Sequence, residues 1–350
     1  MHPTARSAKF LASLLLPAVA SVLAGAQERL AGIPPKPPAI SDYWRSFIGE
    51  YGPDEDVHYL LEKNTKLIVL RKNGGEWSLK ELAGGQFELD LAGSRTISVR
   101  FDRDSSGRIN TLHLDAARLD RRPLGPEEGH VFQIHPVRPV DELRKEALAA
   151  VPPGDAPSAR VTDLVELDKL DASIHLDVRY ATSNDFLGTP VYTQARAFLQ
   201  RPAAEALLRA HRALRPLGYG LLIHDGYRPW YVTKMFWDAT PPEGKIFVAD
   251  PAQGSRHNRG CAVDLTLYDL KTGAPIEMTG TYDEMSPRSF PDYPGGTSLQ
   301  RWHRDLLRRA MESQGFTVYE HEWWHFDYKD WPHYPIMNLP FEKLSGGKSP

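Results

Sequence analysis

The chain has 350 residues, of which 41% are apolar, 25% charged and 10% aromatic, and its formal net charge is −3. This is a globular composition, long enough for two domains, and the near balance of 42 basic and 45 acidic residues argues against nucleic acid as a partner. The single cysteine, Cys261, excludes an intramolecular disulfide, a four-thiolate zinc site and an iron–sulfur cluster, so any metal would be held mainly by histidine and carboxylate.

Residues 1–26 predict a signal peptide. Arg6 and Lys9 precede an apolar run from Phe10 to Leu23, and Ala24-Gly25-Ala26 supplies the small residues of a cleavage site. The run is shorter than the ~20 residues that span a bilayer, which disfavours a membrane anchor. We therefore expect a periplasmic or secreted protein without a membrane span after cleavage.

Residues 27–150 predict a β-rich accessory domain. Alternating apolar residues, as in Ile97, Val99 and Phe101, are separated by glycine-containing turns at hairpin spacing. The pattern favours an all-β meander or small barrel over residues 41–136, followed by a helix over 141–150. No group of catalytic residues occurs in this part, and proline-rich residues 151–158 predict a linker.

Residues 159–350 mix helices and strands. We expect helices over 202–214 and 299–314 and strands over 220–224, 262–267 and 316–319. The predicted class is α+β, in which a small antiparallel sheet with flanking helices follows the β domain.

The first group of candidate site residues is His257 and Asp264. Asp264 lies in an otherwise apolar strand, and an unpaired buried carboxylate is costly, so a metal is one possible partner. The alternative is that Asp264 pairs with Arg256 or Arg259 and that His257 is merely exposed.

The second group is His321-Glu322-Trp323-Trp324-His325, which matches the H-E-x-x-H motif of zinc proteases. That motif requires a helix, whereas the surrounding residues are rich in β-formers. We therefore favour His257, Asp264 and His325 as ligands and set His321 aside. Two histidines and one carboxylate leave an open position on zinc, as in catalytic sites, and Glu322 would then act as the general base.

The third group surrounds Arg228, in His224-Asp225-Gly226-Tyr227-Arg228-Pro229-Trp230, where a predicted strand turns into a helix. An arginine at such a turn can stabilise a developing oxyanion. The alternative is a surface arginine that binds local carbonyl groups.

Together these motifs resemble the zinc D-alanyl-D-alanine dipeptidases of the vancomycin-resistance type, within the D-Ala-D-Ala metallopeptidase family. The likeness covers about half the chain, from Asp163 to Pro340. Its most specific parts are the Ser-x-His-x-x-Gly-x-Ala-x-Asp pattern that begins at Ser255 and the Glu-Trp-Trp-His motif that ends at His325. Other matching stretches are Asp177 to Thr182, Asp225 to Pro229 and Met285 to Ser289.

The resemblance implies a Hedgehog-like fold and a site with one zinc ion per chain. It implies that His257, Asp264 and His325 bind the metal, that Glu322 is the general base and that Arg228 stabilises the transition state. It further implies that Asp283 receives the free amine of a small dipeptide and that Ser255 lines the substrate pocket. Taken alone, Asp283 would be a solvated loop residue.

The chain departs from the family pattern in two places. Asp185-Phe186 stands where the family usually has Asn-Phe, and the cytoplasmic resistance enzymes lack both a leader and a β domain. Export suggests a dipeptide released during cell-wall turnover as the substrate. Two alternatives remain: a D,D-carboxypeptidase acting on peptidoglycan stems, and a non-catalytic metal-holding module that binds a cell-wall fragment through its β domain.

Overall fold

The computed structural model describes residues 32–83, 85–91, 96–123, 131–154 and 160–344, and it contains an antiparallel barrel-like sheet and a mixed α and β domain. The predicted signal peptide and part of the predicted linker lie outside these residues. In the described part of the chain, no helix has the length and apolar character needed to cross a membrane.

The first sheet has eight strands that pair with their neighbours in chain order, all antiparallel. The helix α1 (Asp42–Arg45) precedes them, and Ser41 caps its first turn. The strands are β1 (Gly49–Tyr51), β2 (His58–Lys63), β3 (Lys66–Arg71), β4 (Glu76–Glu81), β5 (Phe87–Asp90), β6 (Thr96–Arg103), β7 (Ile109–Leu114) and β8 (Ala117–Asp120).

The two ends of this sheet meet, which nearly closes it into a barrel. Tyr51 forms an antiparallel bridge with Arg121, and the amide of Gly52 donates to the carbonyl of Asp120 at 2.9 Å. Alternate residues of the strands point inward, as the period of two requires, and they form a core with Phe47 and Tyr51. The predicted meander or small barrel is therefore observed.

The second domain is built on a five-stranded sheet of order β10-β12-β13-β15-β14. Its pairs are antiparallel except for β10 and β12, which are parallel, so the expectation of a purely antiparallel sheet was wrong at this edge. The strands of this domain are β9 (Leu164–Glu166), β10 (His175–Leu176), β11 (Phe198–Gln200), β12 (Tyr219–Asp225), β13 (Ala262–Asp269), β14 (Phe316–Tyr319) and β15 (Glu322–Tyr328); β9 and β11 form a separate pair.

Helices cover this sheet. The three that the sequence predicted, over 141–150, 202–214 and 299–314, begin and end within two residues of the predicted bounds. The helices are α2 (Val140–Ala149), α3 (Leu167–Leu170), α4 (Arg201–Leu214), α5 (Trp230–Ala239) and α6 (Ser298–Glu312). The first turn of α4 contains a proline, and a capping box formed by Thr297 and Gln300 begins α6.

The domain boundary differs from the predicted one. The inner face of α2, with Leu143 and Ala147 fully buried, packs into the core of the second domain and contacts α5. The segment before α2 also contacts the second domain, because the amide of Ile134 donates to the carbonyl of Phe186. The accessory domain therefore ends before Val131 rather than at Ala150, and a local sequence pattern could not show which core the helix joins.

The barrel and the second domain are in direct contact. Oε2 of Glu62, near the end of β2, accepts from the amide of Ser298 at 2.7 Å. The main-chain amide of Glu62 donates to the carbonyl of Gly296. Arg45 and Glu277 form an ion pair of 2.5 Å across the same boundary. Glu62 thus satisfies a main-chain donor at the start of α6, the helix that follows the loop carrying Asp283.

Candidate active site

Three elements of the second domain bring His257, Asp264 and His325 together. Asp264 on β13 and His325 on β15 are direct partners in the sheet, and His257 begins a short 3₁₀ turn just before β13. One side-chain ligand atom from each of the three lies within 4.8 Å of the others, and all three residues are at least nine-tenths buried. His321, the first residue of the H-E-x-x-H match, does not belong to this cluster.

The hydrogen bonds around the two histidines fix which nitrogen atoms face the cluster. Nδ1 of His257 lies 2.7 Å from the carbonyl oxygen of Gly226, and Nε2 of His325 lies 2.9 Å from Oδ1 of Asp327. Each of these nitrogens must carry a proton to donate to its oxygen partner. The opposite nitrogens, Nε2 of His257 and Nδ1 of His325, are then free to act as acceptors.

Those two nitrogens face each other at 3.0 Å, and Oδ1 of Asp264 lies 3.3 Å from the first and 3.1 Å from the second. Three acceptors in mutual contact are unfavourable unless a cation lies between them. Two imidazole nitrogens and one carboxylate oxygen are a donor set that suits a catalytic zinc ion. The residues present therefore fit a divalent metal.

A proton can substitute for that cation. Burial opposes protonation of His325, but the carboxylates of Asp327 and Asp264 outweigh it and raise the pKa of His325 to about 10. The proposed alternative pairing of Asp264 is not observed, because Arg256 approaches Asp327 at 3.5 Å and Arg259 donates to the carbonyl of Tyr334.

Glu322 is the first residue of β15, so the last four residues of the H-E-x-x-H match lie on a strand and not on the helix that a zinc protease of that type needs. Its Oε2 lies 3.7 Å from Nδ1 of His325. Burial, together with the nearby Asp264 carboxylate, raises the pKa of Glu322 to about 8 despite the opposing effect of His325. A carboxyl group with a pKa near neutrality can both accept and donate a proton.

Arg228 lies in the turn between β12 and α5, as the sequence predicted. Its Nε donates to Oδ2 of Asp225 at 2.8 Å, and the hydroxyl of Tyr192 donates to the other oxygen of that carboxylate. The guanidinium group lies over the ring of Phe236, 4.9 Å from the centroid, and 3.4 Å from Asp264. These contacts fix a buried positive charge beside the cluster.

Asp283 lies on the loop before α6, and its side chain enters the same cleft. The hydroxyl of Tyr180 donates to its Oδ1 at 2.9 Å, whereas its buried Oδ2 has no hydrogen-bond partner. Burial and the nearby Asp264 raise the pKa of Asp283 well above its usual range. A carboxylate in this environment needs a positively charged partner.

The loop holds Asp283 in a left-handed conformation with φ of 59°, which is unusual for a residue other than glycine. The neighbouring carboxylate of Glu284 stabilises this turn from both sides. It accepts from the amide of Thr281 at 2.9 Å and from Nε of Arg288 at 2.6 Å. The backbone strain is thus maintained by hydrogen bonds to the fully buried carboxylate of Glu284.

All seven predicted site residues line one cleft of about 380 Å³, whose walls include several aromatic side chains. The hydroxyl of Ser255 accepts from the amide of His257 at 3.1 Å and so helps to fix the turn that presents this histidine. A cleft of this size with a few converging polar groups suits a small molecule.

Sequence reasoning missed three residues of the site. Asp327 lies two residues after His325 on the same strand, so the period of two could have placed it on the same face. Tyr282, whose hydroxyl donates to Oδ2 of Asp264 at 3.1 Å, and Tyr180 gave no comparable signal.

Comparisons with known proteins show which family the second domain resembles. A family model described as "D-ala-D-ala dipeptidase", of the M15 peptidases, matches residues 160–343. The chain is 34% identical over 176 residues to the D-alanyl-D-alanine dipeptidase of Escherichia coli K12, covering 50% of this chain and 90% of the relative. It is 36% identical over 193 residues to that of Enterococcus faecium, covering 50% and 95%, and 35% identical over 189 residues to that of Streptomyces coelicolor, covering 49% and 94%.

Proposed function

Because the chain belongs to the D-Ala-D-Ala dipeptidase family of metallopeptidases, we propose that it hydrolyses the D-alanyl-D-alanine dipeptide with the help of one zinc ion per chain. His257, Asp264 and His325 would hold the ion. When bound, zinc supplies Lewis-acid activation of water and of the scissile carbonyl group. The Hedgehog-like metallopeptidase fold of the second domain is part of this proposal.

Four side chains of the cleft bind the substrate, transfer the proton and stabilise the developing charge. Oδ2 of Asp283 binds the substrate ammonium and so fixes the dipeptide in one orientation. Glu322 removes a proton from the attacking water and delivers it to the nitrogen of the leaving amino acid. Arg228 donates hydrogen bonds to the oxygen that becomes negative during the attack, and its pairing with Asp225 keeps it in place before the substrate binds. Ser255 contributes to the wall of the pocket.

The observation that carries this proposal is the unpartnered Oδ2 of Asp283 in the cleft of the metal cluster. Recognition of a free amine next to the scissile bond restricts the enzyme to dipeptides. A carboxypeptidase that trims peptidoglycan stems would have to accept an acylated nitrogen there, which would leave this carboxylate buried and unpaired. The same arrangement, with Glu322 and Arg228 in place, also disfavours a non-catalytic module.

The cellular setting is a further part of the proposal. We propose that the enzyme acts in the periplasm or outside the cell on dipeptides from cell-wall turnover, because the sequence of residues 1–26 predicts a signal peptide. A cell-wall fragment as the ligand of the barrel stays a prediction from sequence.

The test is an incubation of the purified, zinc-loaded protein with D-Ala-D-Ala, with L-Ala-L-Ala and with a stem pentapeptide, followed by detection of released alanine. We expect rapid hydrolysis of the first substrate, and at least ~100-fold slower release from the pentapeptide, whose amine is acylated. Equal release from the dipeptide and the pentapeptide would favour the carboxypeptidase instead.

A further inference from the structure

The two carboxylate oxygens of Asp264 have different partners. Oδ1 faces the histidines, 3.3 Å from Nε2 of His257 and 3.1 Å from Nδ1 of His325. Oδ2 has two donors, the hydroxyl of Tyr282 at 3.1 Å and Nη2 of Arg228 at 3.4 Å. Because an ionised carboxylate only accepts hydrogen bonds, the hydroxyl must be the donor in its contact. These two donors fix which oxygen of Asp264 faces the histidines.

Aromatic neighbours hold the ring of Tyr282 in place. It stacks on the imidazole ring of His224, with centroids 4.4 Å apart and an interplanar angle of 17°, and it meets Trp324 edge to face at 5.6 Å. His224 is fixed in turn, because its Nδ1 lies 3.2 Å from the carbonyl oxygen of Asp177. Both Tyr282 and His224 are buried. The hydroxyl of Tyr282 therefore approaches Asp264 from a rigid support.

Tyr282 does not line the catalytic cleft, although Asp264 and Asp283 do. It lines instead the space between the barrel and the second domain. Among the hydrogen bonds of the described residues, its hydroxyl has one partner, Oδ2 of Asp264. A substrate bound in the cleft would not contact Tyr282, so any effect of the hydroxyl on the reaction would act through Asp264.

We propose that Tyr282, supported by His224, is a positioning residue of the metal site: its hydroxyl holds Asp264 so that Oδ1 is presented to the zinc ion. This inference rests on the proposed function. Without the hydroxyl, Oδ2 would keep Arg228 as its only donor among the described residues. The guanidinium group would then be drawn toward Asp264 and away from the oxygen that becomes negative during the attack. Tyr282 thus also keeps Arg228 available to the substrate.

The test compares two conservative variants of the full chain. Tyr282→Phe keeps the ring and its stacking and removes only the hydroxyl. Tyr268→Phe is the matched control, because Tyr268 lies on the same strand as Asp264 and also stacks on a histidine, His175, at 3.9 Å. Its hydroxyl, however, donates to the carbonyl of Ser173 and not to the metal cluster.

The first readout is the dissociation constant of zinc, measured without substrate by competition with a chelator of known affinity. We expect it to rise about 10–100-fold in Tyr282→Phe, as is typical when a partner behind a metal ligand is lost, and to stay unchanged in Tyr268→Phe. His224→Gln removes the stacked ring but keeps the Tyr282 hydroxyl, so it should raise the constant by less than Tyr282→Phe does. No rise in His224→Gln would contradict the supporting role of His224.

The second readout is the hydrolysis of D-Ala-D-Ala at saturating zinc. In Tyr282→Phe the KM should stay the same, since the substrate does not contact this residue. The kcat should fall, but by less than the about 10²–10³-fold that complete loss of an oxyanion donor costs, because Arg228 is displaced and not removed.

Three results would overturn the proposal. An unchanged zinc dissociation constant in Tyr282→Phe would show that Asp264 needs no support from the hydroxyl. Equal losses of zinc affinity in Tyr282→Phe and Tyr268→Phe would show a general loss of stability. A higher KM with unchanged zinc affinity would mean that Tyr282 acts on the neighbouring Asp283 instead. Because zinc affinity is measured without turnover, failure of the unmodified protein to hydrolyse D-Ala-D-Ala would contradict the proposed function and not this inference.

Discussion

The hydroxyl of Tyr180 holds one oxygen of the Asp283 carboxylate at 2.9 Å and leaves the other oxygen buried without a partner. Glu284 holds the strained loop that carries Asp283, and the bond to Tyr180 would be lost if the carboxylate turned away. The pair therefore presents a preorganised acceptor, whose natural partner is an ammonium group, to the cleft.

This acceptor leads to the first prediction. N-acetyl-D-Ala-D-Ala should be cleaved at least ~100-fold less efficiently than the free dipeptide, because a buried carboxylate without its partner costs about 3–5 kcal/mol. Asp283→Asn should lower kcat/KM for the free dipeptide far more than for the acetylated one. Steady-state kinetics with both substrates measure this, and comparable values for the two in the unmodified enzyme would contradict the role of Asp283.

The second prediction distinguishes the two possible metal sites. His257→Ala should lose bound zinc and activity, because it removes one of the three converging ligand atoms. His321→Ala should retain most of both, since His321 contacts the rings of Phe290 and Tyr319 and lies outside the cluster. Elemental analysis of both purified variants measures their zinc content. Loss of zinc from His321→Ala but not from His257→Ala would support the helical zinc-protease motif.

The third prediction concerns Asp327, which accepts from Nε2 of His325. Asp327→Asn should weaken zinc binding by about 10–100-fold, because a carboxylate behind a histidine ligand orients the ring and increases its basicity. Competition with a chelator of known affinity measures the change. Asp330→Asn is the control, since Asp330 pairs with Arg160 away from the cluster; an equal effect of both variants would mean that Asp327 acts only through general stability.

The fourth prediction follows from the position of α2. A shortened chain that begins near Val131 should fold and keep dipeptidase activity, whereas one that begins near Ser158 should be unstable because it lacks the buried Leu143 and Ala147. Thermal unfolding and kcat of both chains provide the test. A well-folded chain from Val131 without activity would show that the barrel completes the catalytic cleft.

The fifth prediction concerns Asp185, where the sequence departs from the family pattern. Burial raises the pKa of Asp185 to about 6, and its Oδ2 has no partner, although Oδ1 accepts from the amide of Leu187. A carboxyl group whose pKa is higher in the folded state stabilises the fold at low pH and loses this contribution as the pH rises. The loss amounts to about 3 kcal/mol between roughly pH 4 and 6, at about 1.4 kcal/mol per pKa unit.

Asp185→Asn should remove that decline and make the protein more stable at pH 7, by about 1–2 kcal/mol once the cost of its buried amide group is included. Denaturant unfolding at several pH values, monitored by circular dichroism, measures both effects. An unchanged pH profile in the variant would show that Asp185 is ionised at no cost in the folded protein.

The sequence allowed accurate prediction where a local pattern determines the structure. Asp264 could be assigned to an apolar strand because a polar residue in that pattern is conspicuous, and the β-forming residues near Trp323 correctly excluded a helix at the histidine motif. Family membership and dipeptidase activity, predicted from the motifs, are confirmed by the comparisons. The roles of the individual site residues stay predictions.

Features that depend on distant contacts could not be predicted. Whether α2 joins the barrel or the second core depends on tertiary packing, and its local pattern is compatible with both. The hydrogen bond between Tyr180 and Asp283 joins residues that are 103 positions apart. The parallel pairing of β10 with β12 involves two residues of β10, too few for a periodic signal.

The bridge between Tyr51 and Arg121 has a consequence for behaviour at high concentration. An open sheet exposes unpaired amide and carbonyl groups along its outer strands, and a second chain can add a strand there and begin a fibril. Here the outer strands β1 and β8 meet, with the amide of Arg122 donating to the carbonyl of Glu50 at 2.8 Å. The barrel thus protects its own edges, and self-association through strand addition is disfavoured without any charged residue being needed to prevent it.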